Sequence, residues 1–359
     1  MIAIVIGTRP ELIKIFPVIN ELKKQKIKYK IIHTGQHYSK NLHNIFIKKF
    51  RNLKINYNLK VGSHSHSKQT GLMMIKLEKI FIKEKITKVI VYGDTNSALA
   101  GALVASKIKQ TKLIHIEAGL RSREANMPEE TNRVIIDHIS DYLFAPTIIS
   151  KKFLLEENIP QSKIFLFGNT IKDSLGYLNN LIKKADYYKK LKLNKNDYFL
   201  VTLHREENID NFTRLKKILN SLADVSKKFQ KIIVFPCHPR TKKMISIKKI
   251  SVNNNIKIID PLSYDKFLNL LYFSFFVISD SGGIQEECCL LKKRLLTIRT
   301  KTERQETIKI GCNILSNVNS VELINKIIKI KKRKIIWSNP YGKKNVSKAI
   351  VNKIKKFKC

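Results

Sequence analysis

Short apolar runs along the chain alternate with longer segments in which apolar residues recur at helical intervals. IAIVIGT, YKIIHTG, KVIVYGD, KLIHIEAG and YLFAP read as strands, each closing on Gly, Asp, Thr or Pro before a helical pattern begins. In RPELIKIFPVINELKKQ the apolar spacing is helical, and Pro10 stands near the start, where a missing N–H does no harm. TNSALAGALVASKIK is a small-residue helix suited to close packing on a sheet. Strand–helix alternation of this kind predicts a parallel sheet covered on both faces.

The pattern then restarts. IFLFGNTIKDSL reads as a strand and a crossing connection, followed by a lysine-rich, strand-poor stretch. A second series begins with YFLVTLHREEN and continues through KIIVFPCHPRT, IKIID, FVISDSGGIQEE, RLLTIR and CNIL. This predicts two α/β domains in series, over 1–170 and 171–340, with a final helix in 341–359 returning to pack on the first. There is no repeat of fixed period. Ligands of open parallel sheets bind outside the carboxyl ends of the strands. The charged and glycine-bearing residues sit at those ends in both halves, so the expectation is a ligand cleft between the domains.

Composition narrows the function classes. The 359 residues are enough for two ordinary domains, and 43% hydrophobic content supports a full core. No apolar run is long enough for a transmembrane helix, and the N-terminus reads as a strand rather than a signal peptide. The five cysteines (Cys237, Cys288, Cys289, Cys312 and Cys359) show neither CxxC nor zinc spacing, and adjacent Cys288 and Cys289 read as core thiols. A reducing, cytoplasmic location is expected. The formal charge of +41 invites a nucleic-acid reading. Lysines recur throughout, beside isoleucine and asparagine, with no RRM, KH, zinc-finger or helix-turn-helix signature. The expectation is no specific nucleic-acid partner, and at most weak electrostatic attraction to anionic membrane surfaces.

Four constellations carry chemistry. In GTRPELIK, Gly7 permits a tight turn into a helix whose N-terminal N–H groups attract an anion that Arg9 and Lys14 also reach; a structural turn with surface bases fits equally. In SDSGGIQEECC, Ser281, Gly282 and Gly283 open a helix suited to diphosphate oxygens, and the Glu287 carboxylate can take two ribose hydroxyls; the alternative is a Gly-rich connection with an acidic first turn. Asp94 and Glu117 end buried strands, where a carboxylate suits general acid–base work. Glu129 and Glu130 follow a proline and could equally cap a helix, Glu130 with its side chain in solvent. Asp94, Glu117 and Glu129 lack a companion histidine at ligand spacing, so no metal is assigned. His204 and Arg205 follow the strand YFLVTL; a histidine at a strand end is often structural, but one opening toward the cleft can donate to a phosphate or transfer a proton. His238 reads as structural or as rim of the site, and HTGQHY supplies Gln36 and His37 at another strand end.

Taken together, GTRPELIK, TGQHY, GDTNSALAGALVA, HIEAGLRS, MPEETNR, FGNTIKDSL, TLHREEN, DSGGIQEE and TERQE, in this order, resemble the non-hydrolysing UDP-N-acetylglucosamine 2-epimerases over nearly the whole chain. The resemblance implies a GT-B fold of two Rossmann-like domains, a cytoplasmic homodimer, a UDP-sugar substrate, and neither metal nor nicotinamide cofactor. It implies inversion at C2 of UDP-GlcNAc to give UDP-ManNAc, a surface-polysaccharide precursor, by elimination of UDP to 2-acetamidoglucal and re-addition. By motif position it casts Asp94, Glu117 and Glu129 as acid–base groups, with His204 assisting at the phosphate. Arg9, Lys14, Arg133, Ser281, Gly282, Gly283 and Arg304 would hold diphosphate or sugar, Glu287 the ribose, and Phe267 would line the uracil site. Gln36, His37, Glu130, Arg205 and His238 fall where some relatives hold an activating second UDP-GlcNAc or form the rim; Ser39, where those relatives often carry a longer polar residue, argues against such activation here.

The chain departs from the family pattern in two places. The usual ERPE reads Glu303-Arg304-Gln305-Glu306, and the loop between EAGLR and PEE is shortened to SREANM. The short form also occurs in relatives acting on UDP-2,3-diacetamido-2,3-dideoxy-glucuronate, which makes that sugar an alternative substrate. A hydrolysing epimerase releasing ManNAc and UDP, a GT-B glycosyltransferase and a basic nucleic-acid-binding protein are the competing functions.

Overall fold

The computed structural model describes residues 1–36, 53–124, 126–342 and 345–357, without the side chains of Leu181 and Arg240. His37, Ser39 and Cys359 lie outside the described residues. The chain divides into two compact units, Met1–Gly176 with Pro340–Cys359, and Tyr177–Asn339. The division falls inside the helix Ile171–Lys184, where no change of composition marks it.

In unit 1 the apolar runs become β1 (Ile2–Ile6), β2 (Tyr29–His33), β3 (Tyr57–Asn58), β4 (Lys88–Tyr92), β5 (Lys112–Ile116), β6 (Tyr142–Ala145) and β7 (Ile164–Leu166). They form one sheet in the order β3-β2-β1-β4-β5-β6-β7, paired in parallel throughout. Every residue of β1 is buried, as expected of a strand covered on both faces. Two-residue β3 sits at the sheet edge and is too short for any alternation to announce it.

Local chemistry explains the helices that follow. Thr8 and Glu11 form a reciprocal capping box at the start of Arg9–Lys24, with Pro10 in its first turn. The small residues of Asn96–Lys107 permit close approach to the sheet: a Cβ on Gly101 would lie 3.1 Å from Val91 Cγ1 and 3.2 Å from Val5. The C-terminal segment is fastened to unit 1 by backbone contacts. The Asn169 N–H donates to the Tyr341 carbonyl (3.2 Å), Lys172 Nζ to the Gly342 carbonyl (2.6 Å), and the Ser347 N–H to Asp173 (2.7 Å). Helix Val346–Lys356 then packs against Arg9–Lys24, and Phe357 stacks on Tyr142 with centroids 3.4 Å apart.

Unit 2 repeats the plan with β8 (Tyr198–Thr202), β9 (Ile232–Pro236), β10 (Ile256–Ile259), β11 (Phe276–Ser279), β12 (Leu295–Ile298) and β13 (Asn313–Ser316). Their order is β10-β9-β8-β11-β12-β13, again all parallel. Its core packs Phe199, Val201, Phe235, Phe276 and Ile278 of the sheet against Leu215, Ile218 and Leu222 of helix Phe212–Phe229. In both sheets the winding reverses beside the first strand, between β1 and β4 and between β8 and β11. Open α/β sheets carry their sites at such a reversal. Among the described residues, no helix is long and apolar enough to cross a membrane.

Candidate active site

The strand ends of unit 1 gather the predicted acid–base groups. Glu117 is the first residue beyond β5 and has φ +75°, a left-handed backbone rarely occupied by a side-chain-bearing residue. Such strain persists where surrounding contacts over-determine it, often at functional sites. Glu117 Oε1 receives the Lys14 ammonium at 2.5 Å and Asn169 Nδ2 at 3.3 Å. Both members of the Lys14–Glu117 pair are 7% exposed. Removing either partner would leave a buried charge without its ion-pair partner.

Asp94, at the end of the neighbouring strand β4, pairs with Arg133 Nη2 at 2.5 Å. Arg133 Nη1 also reaches Glu130 at 2.6 Å, and Asn132 Nδ2 donates to the Asp94 carbonyl at 2.8 Å. Helix Pro128–Ile139 is thereby docked on the end of β4. Glu130 does not face solvent. It accepts the N–H groups of Ser122 (3.0 Å) and Arg123 (2.8 Å), so it orders the shortened loop. Burial raises its pKa, but those N–H groups and Arg133 outweigh it and hold the carboxyl below its ordinary value. Glu129 is the exposed member of the pair. Arg9 is half-buried in the first helical turn, and Gln36 Oε1 accepts from Ser97 N (3.1 Å) and Ser97 Oγ (2.7 Å).

At the reversal itself lies Glu11, which the sequence reading left unassigned. Its carboxylate accepts the N–H groups of Gly7 (2.8 Å) and Thr8 (2.7 Å), the Thr8 hydroxyl (2.9 Å) and the Thr95 hydroxyl (2.6 Å). It ties the end of β1 to the residue after Asp94. Burial raises its pKa to about 7. The spacing of Thr8 and Glu11 is a capping-box signature and could have singled it out.

Unit 2 places His204 just beyond β8 and Asp280 just beyond β11, across its own reversal. His204 Nδ1 meets Asp280 Oδ1 at 2.8 Å; the imidazole is 58% exposed while the carboxylate is 0% exposed. Asp280 also accepts the N–H groups of His204 (3.1 Å) and Arg205 (3.1 Å) and Asn208 Nδ2 (2.9 Å). Burial pushes its pKa up, but His204, Asn208 and the Arg205 N–H outweigh it, and the net shift is downward. The imidazole is thus anchored through Nδ1 while the ring as a whole stays exposed.

Helix Gly282–Leu290 begins here, with Ser281 as N-cap. A Cβ on Gly282 would fall 2.2 Å from Glu303 Oε1, whereas one on Gly283 would meet nothing nearer than Ser281 Oγ at 3.9 Å. A side chain at the first position would therefore have to displace the Glu303 carboxylate, whereas one at the second would make only ordinary van der Waals contact. Glu287 accepts the Tyr264 hydroxyl at 2.7 Å, a partner the sequence reading missed. Arg304 lies 2.6 Å from Glu286, a buried ion pair that joins the TERQE and IQEE stretches, and Arg299 lies 2.9 Å from Glu303. Phe267 is half-buried against the core, and His238 is exposed. Among the described residues, no three His, Cys, Asp or Glu side chains converge where they could hold a metal ion.

A family model described as UDP-N-acetylglucosamine 2-epimerase matches residues 20–355. The chain is 47% identical over 360 residues to the UDP-N-acetylglucosamine 2-epimerase of Methanocaldococcus jannaschii, covering 98% of this chain and 97% of that protein. The chain belongs to the UDP-N-acetylglucosamine 2-epimerase family. The crystal structure of the M. jannaschii UDP-GlcNAc 2-epimerase in complex with UDP-GlcNAc and UDP matches it with TM-score 0.92 at 45% identity, over 99% of each chain. This epimerase-family chain accordingly has the GT-B type of α/β fold. It is also 37% identical over 315 residues to the UDP-2,3-diacetamido-2,3-dideoxy-D-glucuronate 2-epimerase of Pseudomonas aeruginosa, covering 87% of this chain and 86% of that protein.

Proposed function

We infer that this chain is a non-hydrolysing UDP-GlcNAc 2-epimerase, interconverting UDP-GlcNAc and UDP-ManNAc. The observation that carries the inference is the near full-length, 47% identity to the M. jannaschii enzyme. The geometry agrees with the chemistry such a reaction needs. The C2 proton is not activated by a neighbouring ketone. Loss of that proton to a carboxylate, with cleavage of C1–O and departure of UDP, gives 2-acetamidoglucal. Re-addition of UDP with protonation from the opposite face inverts C2. Two faces call for two acid–base groups, and Asp94 and Glu117 stand on adjacent strands about 4.8 Å apart.

In this reading Glu117 and Asp94 exchange the C2 proton, with Lys14 and Arg133 balancing their charge, and Glu129 is the third candidate. Arg9 and Arg304 serve the sugar and diphosphate. His204, steadied by Asp280, offers Nε2 to the departing phosphate. The amides at Gly282 and Gly283 and the helix dipole favour the diphosphate. Glu287, oriented by Tyr264, takes the ribose hydroxyls, and Phe267 lines the uracil. A homodimer belongs to the same reading, and light scattering on purified protein tests it.

The decisive assay incubates the protein with UDP-GlcNAc in D₂O and follows C2 by NMR. UDP-ManNAc with deuterium at C2 is expected. Free ManNAc as the main stable product would make the enzyme hydrolysing instead. One observation favours a second substrate, the identity to the P. aeruginosa enzyme. UDP-2,3-diacetamido-2,3-dideoxy-glucuronate therefore belongs in a parallel reaction, and turnover of that sugar alone would reassign the substrate but not the chemistry.

A further inference from the structure

Behind the strand ends of unit 1 lies a buried charge cluster that the reaction above does not use. His115, on β5, and Asp137, on helix Pro128–Ile139, are both 1% exposed and meet at 2.7 Å through His115 Nδ1 and Asp137 Oδ1. The other ring nitrogen, Nε2, lies 2.9 Å from the Gly93 carbonyl. Asp137 Oδ2 accepts the Gly119 N–H (3.0 Å) and Arg121 Nη1 (2.7 Å). Arg121 in turn grips Glu157 through Nε (2.7 Å) and Nη2 (2.6 Å).

We propose that His115 and Asp137 are a positioning pair for Glu117 and Asp94, with His115 held as a buried imidazolium. The proposal rests on the epimerase reading of those two carboxylates. Asp137 holds residues 115 and 119, which bracket Glu117 on both sides, so it braces an acidic residue whose backbone is left-handed. Through His115 it also fixes the Gly93 carbonyl, the peptide that leads into Asp94. A single carboxylate thereby sets the approach of two neighbouring strand ends.

The charge state follows from hydrogen-bond arithmetic. The Gly93 carbonyl can only accept. Asp137 Oδ2 already accepts the Gly119 N–H and the Arg121 guanidinium, which favours the ionised carboxylate, so Oδ1 too only accepts. Both ring nitrogens therefore donate. A neutral ring would set a lone pair against one of the two oxygens. With the ring charged, His115 and Arg121 balance Asp137 and Glu157 inside the fold. Neither His115 nor Asp137 touches the reacting atoms, so their effect passes through Glu117 and Asp94.

Two measurements test this. In wild-type protein with ¹⁵N-labelled histidine, assigned through its backbone connections, both ring nitrogens of His115 should carry protons in the assay buffer. A bare ring nitrogen would overturn the charge assignment. His115→Gln and Asp137→Asn should lower kcat and the rate of C2 deuterium uptake together, by about tenfold to a hundredfold, with KM for UDP-GlcNAc within about threefold. Folded variants with kcat within about twofold of wild type would overturn the positioning role. An inert wild type with a doubly protonated His115 would overturn the functional reading and the role that rests on it, while leaving the charge state standing.

Discussion

The two sheet reversals solve one problem with opposite electrostatics. Each has a buried carboxylate that accepts backbone N–H groups from the diverging chain: Glu11 those of Gly7 and Thr8, Asp280 those of His204 and Arg205. The remaining partners of Glu11 are two threonine hydroxyls, and burial wins, raising its pKa to about 7. Asp280 has His204 beside it, and its pKa falls. The difference matches the division of labour we propose. In unit 1 the paired charges Lys14–Glu117 and Arg133–Asp94 lie at the strand ends, so the latch beneath them can be uncharged. In unit 2 the latch is itself the partner of the exposed histidine.

The largest expected effect concerns proton transfer at C2, which we assign to unit 1. Glu117→Gln should lower kcat by about a thousandfold while UDP affinity, assigned mainly to unit 2, changes by less than about twofold. Comparable losses in kcat and UDP affinity would break the division. The converse change, Glu287→Gln, should weaken UDP binding by about 1–2 kcal/mol, roughly tenfold, with kcat nearly intact; calorimetry with UDP reads this directly.

The third prediction tests the latches by pH. The folded pKa of Glu11 lies above its ordinary value of 4.5, at about 7. Between these values the folded state keeps a proton that the unfolded state has lost, so stability around β1 should fall as pH rises from 4.5 to about 7, on the order of 3 kcal/mol. Asp280 has the opposite sign. Its contribution is present above its ordinary value of 3.8 and is lost as pH falls through the lower folded value. Hydrogen-exchange protection of Gly7 and Thr8 against that of His204 and Arg205 should thus slope oppositely with pH, and Glu11→Gln should flatten the first slope only. Parallel slopes in the wild type would show that the two latches share one charge state. The smallest effect is expected from Tyr264→Phe, which removes one hydrogen bond to Glu287 and should weaken UDP binding by about 1 kcal/mol.

Much of this is legible in the sequence. The strand ends bearing Asp94, Glu117, His204 and Ser281 were marked by apolar runs that stop at charged or glycine-containing residues, because a strand covered on both faces must be apolar until it leaves the sheet. The residues missed are of another kind. Glu11, His115, Asp137 and Asp280 are polar side chains within otherwise buried surroundings, and each matters through partners on another element. Glu130 illustrates the limit: its position on the first helical turn permits either solvent or the loop, and the N–H groups of Ser122 and Arg123, together with Arg133, turn it inward.

By itself, then, the chain determined the alternation of strand and helix, the doubling of the α/β plan and the set of side chains at the strand ends, because these depend on period and local backbone chemistry. Tertiary structure alone decided strand order, the two reversals and the pairing of Glu117 with Lys14, Asp94 with Arg133 and His204 with Asp280. Residues far apart in sequence meet only when sheet packing brings their strand ends together, and the charge each carries is set by who it meets there.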